Sequence, residues 1–320
     1  MVDISVILCT HNPRRDYLHR VLAALSDQTA PRDRWELVIV DNASDERLAD
    51  TYDVTWHAHA RHVREDRVGL TPARLRGIAE SRGELLVFVD DDNVLMPDFL
   101  ESASAICGRY PYLGVVGAGN LDPEFEVEPP TEIRSHLKLL ALRTVSRTLW
   151  SNNARDFEAL PWGAGLCVRR QVAELYIDFV KGLDVTAVLG RKGKELFCGE
   201  DDVFSWVATS LGYGFGIFPQ LRLRHLIPAS RLNTAYLLRL ARDHAFSHSI
   251  LRHQLQGLPV RRVGPIRYVN MLLLGARDGL FSMKCQWAEF VGEASAARFI
   301  RENQLQPHAR FPEIATLRAI

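Results

Sequence analysis

Short apolar segments alternate with helix-like segments through the first 120 residues, and this alternation restricts the possible folds more than any other feature. The β-rich apolar runs occupy residues 4–9, 35–42, 54–63, 84–89 and 113–119. Between them, apolar residues recur at helical spacing in 17–28, 69–82 and 96–110. This β-α-β-α order predicts an α/β fold, a mostly parallel sheet with helices on both faces.

Polar residues follow three of these predicted strands at the point where each strand ends. The sequences are CTHN after the first, VDNASDE after the second and VDDDN after the fourth. Ligands of such sheets bind beyond the carboxyl ends of the strands. We therefore expect a binding site at this edge of the sheet.

Three consecutive aspartates, Asp90, Asp91 and Asp92, end the fourth predicted strand. Because side chains alternate along a strand, we expect Asp90 and Asp92 on one face and Asp91, as a spacer, on the other. A D-x-D pair suits a hard cation such as Mg²⁺ or Mn²⁺, which also binds phosphate oxygens. A solvated turn is the alternative, and the position directly after a buried strand favours the metal.

A second acidic cluster, residues 200–202, begins a predicted helix after Gly199. Carboxylates are favoured there by the helix dipole, and one of them could instead act as a general base. Arg74 lies in an early turn of another predicted helix, where it suits phosphate contacts. His225 shares a strand face with leucines, so it is either a hydrogen-bonded core residue or a metal ligand.

The composition excludes several classes of protein. The 320 residues have a formal net charge of zero, so no preference for polyanions follows and we expect no nucleic-acid partner. The five cysteines are an odd number with no CxxC, which predicts reduced thiols in a cytosolic protein without disulfides or a zinc site. The N-terminus does not resemble a signal peptide, and no apolar run is long enough to span a membrane.

The C-terminal part, from residue 231, is helical in pattern and basic. Residues 221–320 hold 15 lysines and arginines against 6 aspartates and glutamates. One interpretation is a set of helices that pack on the core with solvated arginines. The alternatives are peripheral docking on an anionic membrane surface at the inner face, and a homodimer contact.

Six segments taken in order, VILCTHN, LVIVDNASDE, GLTPARLRGIA, LLVFVDDDNVL, GAGLCVRR and CGEDDVF, resemble the inverting glycosyltransferases of family 2, which have the GT-A fold. The resemblance covers roughly residues 3–230. It predicts a GT-A domain at 1–230, with a nucleotide-binding half at 1–120 and an acceptor half at 121–230. Residues 231–320 are then a helical extension.

The resemblance implies a nucleotide-diphosphate sugar donor and a divalent metal, Mg²⁺ or Mn²⁺. Thr10, Asn12 and Asp41 match nucleotide-binding positions at strand ends. Arg74 matches an arginine near the base and phosphates. Asp90 and Asp92 match the D-x-D pair, of which the first faces the nucleotide sugar and the last holds the metal, and His225 matches a histidine near that metal.

For catalysis, the resemblance implies that Asp201 is the base, with Glu200 beside it, and that Gly163 to Gly165 shape the sugar and acceptor pocket. It implies hexosyl transfer with inversion to a saccharide or lipid-linked acceptor in cell-surface polysaccharide or glycolipid synthesis. Two positions depart from the family pattern, because Leu75 and Asn93 replace a common asparagine and a common acidic residue.

Two other functions fit parts of the pattern. A nucleotidyltransferase of similar fold would carry a glycine-rich loop after the first strand, where this chain has CTHNPRR. A non-catalytic nucleotide-sugar-binding protein would not need both the D-x-D and the E-D pairs. A dehydrogenase is excluded because no GxGxxG follows the first strand.

Overall fold

The computed structural model describes residues 2–182, 196–260 and 264–307. Its strands are β1 (Ile4–Thr10), β2 (Trp35–Asn42), β3 (Ala60–Glu65), β4 (Leu85–Asp90), β5 (Asn93–Leu95), β6 (Leu113–Phe125), β7 (Arg143–Thr144), β8 (Leu149–Ser151), β9 (Leu166–Arg169) and β10 (Gly214–Ile227). Its α-helices are α1 (Arg15–Ser26), α2 (Leu48–Thr51), α3 (Leu70–Glu80), α4 (Phe99–Arg109), α5 (Arg170–Lys181), α6 (Glu200–Ser210), α7 (Thr234–Gln256), α8 (Pro265–Asp278) and α9 (Leu280–Glu302). Short 3₁₀ helices occupy Arg32–Arg34, Thr131–Leu140 and Ala229–Arg231.

The strands form one mixed sheet in the order β3-β2-β1-β4-β9-β6-β10-β5, with β7 beside β6 and β8 beside β10. Strands β3, β2, β1 and β4 pair in parallel. Strand β9 pairs antiparallel with β4 and with β6, and β7 pairs antiparallel with β6. Strand β10 pairs antiparallel with β5 and with β8. The predicted α/β class is confirmed, and the parallel part of the sheet is its first four strands.

The first two strands are buried along their whole length, which explains why their sequences are mostly apolar and do not alternate with exposed polar residues. Leu18, Val21 and Leu25 of α1 are fully buried in the same core as Val6 and Leu8. Helix α3 approaches the opposite face of β1 closely. A Cβ on its Gly77 would overlap the Ile7 side chain and lie 3.3 Å from Val40 Cγ2.

Two predicted segments differ from the observed ones. The third strand begins at Ala60 rather than at residue 54, because backbone hydrogen bonds from His57 to Val54 and from Ala60 to His57 make 54–60 a pair of turns. The predicted loop 120–134 is in its first part a continuation of β6. There β6 pairs with β7 at Asn120 and Leu121, a short partner that has no strong sequence pattern of its own.

The chain divides into two compact units. The first comprises residues 2–124, 141–182 and 200–226 and contains the sheet almost entirely. The second comprises the described residues among 125–140, 196–199 and 227–307. It therefore includes three described segments that the sequence placed in the acceptor half, 125–140, 196–199 and 227–230. The remaining parts of the predicted extension, 261–263 and 308–320, lie outside the described residues.

The second unit is helical, as the sequence predicted for its C-terminal part. The Asn233 side chain caps α7 by accepting a hydrogen bond of 2.9 Å from the Tyr236 amide, and Gly257, with φ of 62°, ends the helix. Arg267 of α8 pairs with Glu293 of α9 at 2.5 Å. Within the described ranges, no helix has both the length and the apolar character that crossing a membrane requires.

Candidate active site at the strand ends

The parallel register brings three polar strand ends together. Thr10 of β1 is aligned with Asp41 of β2, and Cys9 of β1 with Asp90 of β4. The carboxyl ends of these neighbouring strands therefore share one edge of the sheet, as the sequence led us to expect. Burial raises the pKa of the Cys9 thiol, so this cysteine stays protonated and takes no part in nucleophilic chemistry.

Asp41 organises the loop after β2. Its Oδ1 accepts the Ser44 amide at 3.0 Å, and its Oδ2 accepts the Leu48 amide at 3.2 Å and Arg64 Nη1 at 2.8 Å. Burial raises the pKa of Asp41, but the hydrogen bonds from Ser44, Arg64 and Leu48 outweigh burial, and the pKa lies below its ordinary value. Asp41 is thus an ionised anchor of this edge.

Asn12 lies beside the same loop in a left-handed conformation, with φ of 48°. Its amide donates to Ser44 Oγ at 3.0 Å, and its side-chain oxygen accepts the Asp45 amide at 2.9 Å. Asn42, which the sequence did not single out, donates to the Arg67 carbonyl at 2.7 Å and accepts the Gly69 amide at 2.8 Å. These contacts tie the ends of β1, β2 and β3 to the start of α3.

The aspartate triplet is a strand end followed by a turn. Strand β4 ends at Asp90, and Asp91 and Asp92 belong to the turn, so strand alternation does not govern where their side chains lie. Thr10 Oγ1 donates a short hydrogen bond to the Asp91 carboxylate. Asp91 is therefore not a spacer that points away from the other strand ends, because its carboxylate contacts Thr10 at the end of β1.

Asp92 and His225 are buried and adjacent. Asp92 Oδ2 lies 3.5 Å from His225 Nε2, and Asp92 Oδ1 accepts Asn93 Nδ2 at 2.9 Å. The pairing of β5 with β10 aligns Asn93 with His225 and so sets this contact. His225 Nδ1 is buried without a hydrogen-bond partner among the described residues.

Asp92 and His225 can therefore serve as two ligands of a divalent ion, since a carboxylate oxygen and an imidazole nitrogen already face each other. Asp90 does not join them. In the part of the chain that the structure describes, Asp90, Asp92 and His225 do not form a group whose ligand atoms all lie within 4.8 Å of one another. The Asp90 carboxylate lies instead 3.7 Å from Arg74 Nη2.

Arg74 is the buried cation of this site, with 2 % of its surface exposed. Its Nη1 pairs closely with Glu200, and its guanidinium lies 5.3 Å from the centre of the Phe88 ring. Burial lowers the pKa of Arg74, but the charges of Glu200 and Asp90 raise it further, so the residue stays charged. Arg74 thus joins the end of β4 to the start of α6.

Glu200 is the other half of this buried ion pair. The pKa of Glu200 is raised to about 7. Burial is the largest cause; the Arg74 charge opposes it, and the nearby charges of Asp201 and Asp90 add to it. Thr71 Oγ1 donates to Glu200 Oε2 at 3.4 Å. The position of Glu200, enclosed by α3 and α6, suits a residue that holds Arg74 rather than one that meets a substrate.

Asp201 is half-buried and faces the loop before β9. Its Oδ2 accepts the Gly163 amide at 2.7 Å. A Cβ on Gly163 would lie 2.9 Å from Arg74 Nη2 and 3.6 Å from Asp201 Oδ2, so a side chain there would crowd the Arg74 guanidinium. Gly165 has φ of 67°, and a Cβ there would lie 2.9 Å from Leu223 Cδ2.

Two functional candidates near Asp201, Arg143 and Trp162, were missed from the sequence. The Arg143 guanidinium lies 3.5 Å from the centre of the Trp162 ring and donates to the Leu160 carbonyl at 2.9 Å. Burial lowers the pKa of Arg143 to about 10, partly offset by Asp201 and Asp202. Burial and the neighbouring charge of Asp201 raise the pKa of Asp202. Trp162 directly precedes the glycine-rich segment GAGLCVRR and was the one available signal.

The site thus has three parts. The strand ends at one edge of the sheet could bind a polar ligand, the Asp92–His225 pair could bind a cation, and the half-buried Asp201 carboxylate is fixed by the Gly163 amide. The chain is also similar to known glycosyltransferases. The family model described as "Glycosyl transferase family 2" matches residues 5–153. This match covers β1 to β8 and includes the three polar strand ends.

A curated relative, polypeptide N-acetylgalactosaminyltransferase 5 of Caenorhabditis elegans, is 33% identical over 102 residues, which are 30% of this chain and 16% of that protein. Staphylococcus aureus TarS, a poly(ribitol-phosphate) β-N-acetylglucosaminyltransferase, is 26% identical over 113 residues, 34% of this chain and 20% of that protein. The chain thus spans a fifth or less of the length of these two relatives.

A solved structure of similar fold is the mannosyltransferase PcManGT of Pyrobaculum calidifontis in complex with GDP-Man and Mn²⁺. It has a TM-score of 0.53 and 20% identity, with 94% of this chain and 79% of that chain covered. At this identity the likeness concerns the fold alone. The family match over residues 5–153 and this likeness of fold make the chain similar to the glycosyltransferases of family 2, in line with the predicted GT-A fold.

Proposed function

We propose that this protein transfers a sugar from a nucleotide-diphosphate sugar to an acceptor hydroxyl, with a divalent metal and with inversion at the anomeric carbon. One observation carries the proposal: the buried Arg74 joins Asp90, at the strand-end edge, to Glu200, the neighbour of Asp201. The proposed donor edge and the proposed base are thereby held in one rigid arrangement.

We assign the nucleotide to the edge formed by Thr10, Asn12 and Asp41, and the diphosphate side of the donor to Asp90 and Asp92. PcManGT was solved with GDP-Man and Mn²⁺, and TarS was also solved with UDP-GlcNAc, which supports a nucleotide-sugar donor for this chain. Both carboxylate oxygens of Asp41 already accept hydrogen bonds, from Ser44, Leu48 and Arg64. Its proposed role is therefore to shape the nucleotide edge.

Asp92 and His225 would hold the metal, Mg²⁺ or Mn²⁺, with His225 Nε2 and Asp92 Oδ2 as its protein ligands. Asp92 would supply the carboxylate oxygen that Mg²⁺ and Mn²⁺ prefer, and a neutral imidazole is a common metal ligand through a ring nitrogen. When bound, such an ion neutralises charge on the departing diphosphate.

Asp201 is the proposed catalytic base. Its Oδ2 is committed to the Gly163 amide, so we assign proton transfer to Oδ1. The acceptor oxygen, deprotonated as it attacks, approaches the anomeric carbon from the face opposite the diphosphate and inverts the configuration in one displacement. A positioned base of this kind contributes about 10²–10⁴-fold to the rate.

The acceptor is a saccharide or a lipid-linked saccharide, with cell-surface polysaccharide or glycolipid synthesis as the setting. Helix α8 supports a lipid-linked acceptor, because only Met271 of its residues is buried and several apolar side chains on it are exposed. Ile266, Leu272 and Leu273 are 77 %, 59 % and 62 % exposed. Combined with the basic sequence of residues 221–320, this face suits an anionic membrane surface.

A thermal-shift screen of nucleotide sugars with Mn²⁺ tests the donor proposal, because a ligand that binds the folded state raises its melting temperature in proportion to occupancy. We expect one nucleotide-sugar class to stabilise the protein only when Mn²⁺ is present. A mononucleotide that stabilises it equally well without metal would favour a non-catalytic binding protein.

Calorimetry on Asp92→Ala tests the metal assignment. Donor affinity should fall in the presence of Mn²⁺ and should no longer respond to its removal. Asp122→Ala, which changes an exposed aspartate of β6, is the matched control. Identical donor affinity of the unmodified protein with and without Mn²⁺ would refute the metal claim.

Flotation with vesicles tests the membrane proposal. The protein should float with vesicles that contain anionic lipid at low salt, and the double change Leu272→Glu with Leu273→Glu should abolish flotation. Leu211→Glu, at an exposed leucine of the sheet-containing unit, should not. A protein that remains at the bottom but sediments as a dimer would assign α8 to a homodimer contact instead.

A further inference from the structure

A second group of metal-ligating side chains lies within the helical unit, apart from the residues assigned to sugar transfer. It consists of Cys198, His244 and His248. One ligand atom from each of the three, a thiol sulfur and two imidazole nitrogens, lies within 4.8 Å of the other two. Among the described residues this is the one group of three or more cysteine, histidine, aspartate or glutamate side chains with that geometry.

The two histidines converge because α7 is regular. Residues four apart on a helix lie on the same face one turn apart, so His244 and His248 project side by side. Their ring centres are 4.8 Å apart and the rings are tilted by 49°. The same i, i+4 spacing presents a histidine pair to zinc in helical metalloenzyme sites.

Cys198 is held near these histidines by a contact of its own amide and by contacts of the two residues before it. The Cys198 amide donates to Ser247 Oγ at 3.3 Å, and the Leu196 amide donates to Asp243 Oδ2 at 3.2 Å. The Phe197 ring stacks on the Phe246 ring, with centres 5.3 Å apart. Residues 196–198 thus run along the face of α7 in a register that aims Cys198 at the histidine pair.

Ser247 and Asp243 have further hydrogen bonds that keep this register. Ser247 Oγ donates to the Asp243 carbonyl at 2.9 Å, one helical turn earlier. Asp243 Oδ1 accepts Arg242 Nε at 2.8 Å, which leaves its Oδ2 for the Leu196 amide. The ligands are therefore supported by neighbours that are themselves fixed, as metal ligands generally are.

We propose that Cys198, His244 and His248 bind one Zn²⁺ ion through a thiolate and two imidazole nitrogens, with water in the fourth position. Zinc prefers cysteine and histidine ligands in a tetrahedron, with bonds of about 2.3 Å to sulfur and about 2.0 Å to nitrogen. Those bonds place the ligand atoms about 3.3–3.6 Å from one another. The side chains reach that geometry from within 4.8 Å by small rotations.

The ligand chemistry separates this site from the one proposed for sugar transfer. A thiolate with two imidazoles selects zinc-like ions, whereas Mg²⁺ and Mn²⁺ prefer oxygen ligands. Binding deprotonates the Cys198 thiol and releases that proton to solvent. The consequence of binding is structural, because the ion joins the segment 196–198 to α7 and stabilises the helical unit by mass action.

The exposure of the cluster permits metal entry. His244 is exposed, and Cys198 and His248 are half-buried. Cys285 of α9, by contrast, is buried, and burial raises the pKa of its thiol to about 11. Of these two cysteines in the helical unit, only Cys198 thus combines access with neighbouring imidazoles.

Cobalt substitution provides the test. The reduced, metal-free full-length protein is titrated with Co²⁺, which occupies zinc sites and reports a thiolate ligand by a sulfur-to-cobalt charge-transfer band. We expect one equivalent of Co²⁺ to produce that band, together with the intense visible bands of four-coordination, and one equivalent of Zn²⁺ to abolish both. Absence of a thiolate band at one equivalent in the unmodified protein overturns the proposal.

Variants assign the ligands. Cys198→Ser should remove the charge-transfer band. His244→Gln and His248→Gln should each weaken Zn²⁺ affinity by at least about 10–100-fold, which is the cost of losing even an outer supporting partner. The matched controls are Cys285→Ala, a thiol of the same unit, and His253→Gln, a histidine of the same helix whose Nε2 is 3.1 Å from the Leu305 carbonyl oxygen. Both should retain the band.

Two results would contradict the ligand assignment: a band that persists in Cys198→Ser, or unchanged Zn²⁺ affinity in both histidine variants. Asp92→Ala should retain the thiolate band. This last result separates the zinc site from the sugar-transfer site. Asp92→Ala should lose Mn²⁺-dependent donor binding and keep the cobalt band, so failure of one proposal can be told from failure of the other.

Discussion

The Gly163 amide donates a hydrogen bond of 2.7 Å to Oδ2 of Asp201. This contact joins the loop before β9 to the first turn of α6. It fixes one oxygen of the proposed base by a backbone group, whose position depends on the fold rather than on a side-chain rotamer. The absence of a side chain at Gly163 also leaves room for the Arg74 guanidinium, since a Cβ would lie 2.9 Å from Arg74 Nη2.

Gly163→Ala should therefore lower turnover by about 10–100-fold, because a displacement of the base by a fraction of an ångström disturbs its alignment with the acceptor. Steady-state turnover and the melting temperature are the measurements. Gly108→Ala is the control, since a Cβ in that part of α4 meets nothing within 4 Å. It should leave turnover unchanged and raise stability by roughly 0.5–1 kcal/mol. Equal turnover of the two variants would contradict the role of the Gly163 contact.

Asp41→Asn should destabilise the protein at neutral pH by about 1–2 kcal/mol, because it removes the charge that three hydrogen bonds stabilise. The pKa of Asp41 lies below its ordinary value of 3.8. Its stabilising contribution is accordingly complete at pH values above 3.8 and is lost as the pH falls through the lower pKa of the folded state.

Denaturant unfolding at several pH values checks this prediction. The difference between Asp41→Asn and the unmodified protein should be constant near neutral pH and should shrink in acid. Asp50→Asn, at an exposed aspartate of α2, should show no difference at either pH. A difference for Asp41→Asn that grows in acid would show that the pKa of Asp41 is raised in the folded state.

Thr10 and Asp91 should be energetically coupled. A double-mutant cycle of Thr10→Val and Asp91→Ala should give a coupling of about 0.5–3 kcal/mol in the free energy of unfolding, because the hydroxyl donates to the carboxylate. The exposed pair Thr29 and Glu101, joined at 2.8 Å, is the control and should couple more weakly. Additive effects of Thr10→Val and Asp91→Ala would restore Asp91 to the role of a spacer.

The sequence predicted the parallel part of the sheet well, and the reason is local. Residues 35–42 form β2 with the predicted bounds because a strand buried on both faces is mostly apolar along its length. The antiparallel part was less accessible. Strand β7 is two residues long and exists because β6 passes beside it, which no pattern in its own sequence encodes.

The candidate site shows the same division. Asp90, Asp92 and Asp201 lie in segments that resemble family motifs, so the sequence made them candidates for the site. Asp91 was misjudged because strand alternation was extended into what is a turn. Arg143 was not predicted because its position is set by packing against Trp162, a residue distant in sequence that only the fold brings to it.

The proposed zinc site departs from the sequence-based expectation of no zinc site for a related reason. The sequence has no closely spaced cysteines. The proposed site takes a single cysteine from the segment before α6 and two histidines from one face of α7, and only the fold brings these ligands together.

The most direct test of the account compares Asp201→Asn with the unmodified protein, using the donor that the nucleotide-sugar screen identifies. Asparagine keeps an oxygen for the Gly163 amide but cannot accept the acceptor proton. Asp178→Asn, at an exposed position of α5, is the matched control. We predict that Asp201→Asn lowers the rate constant of sugar transfer by about 10²–10⁴-fold while Mn²⁺-dependent donor affinity is retained. An unchanged rate constant in Asp201→Asn would contradict the account.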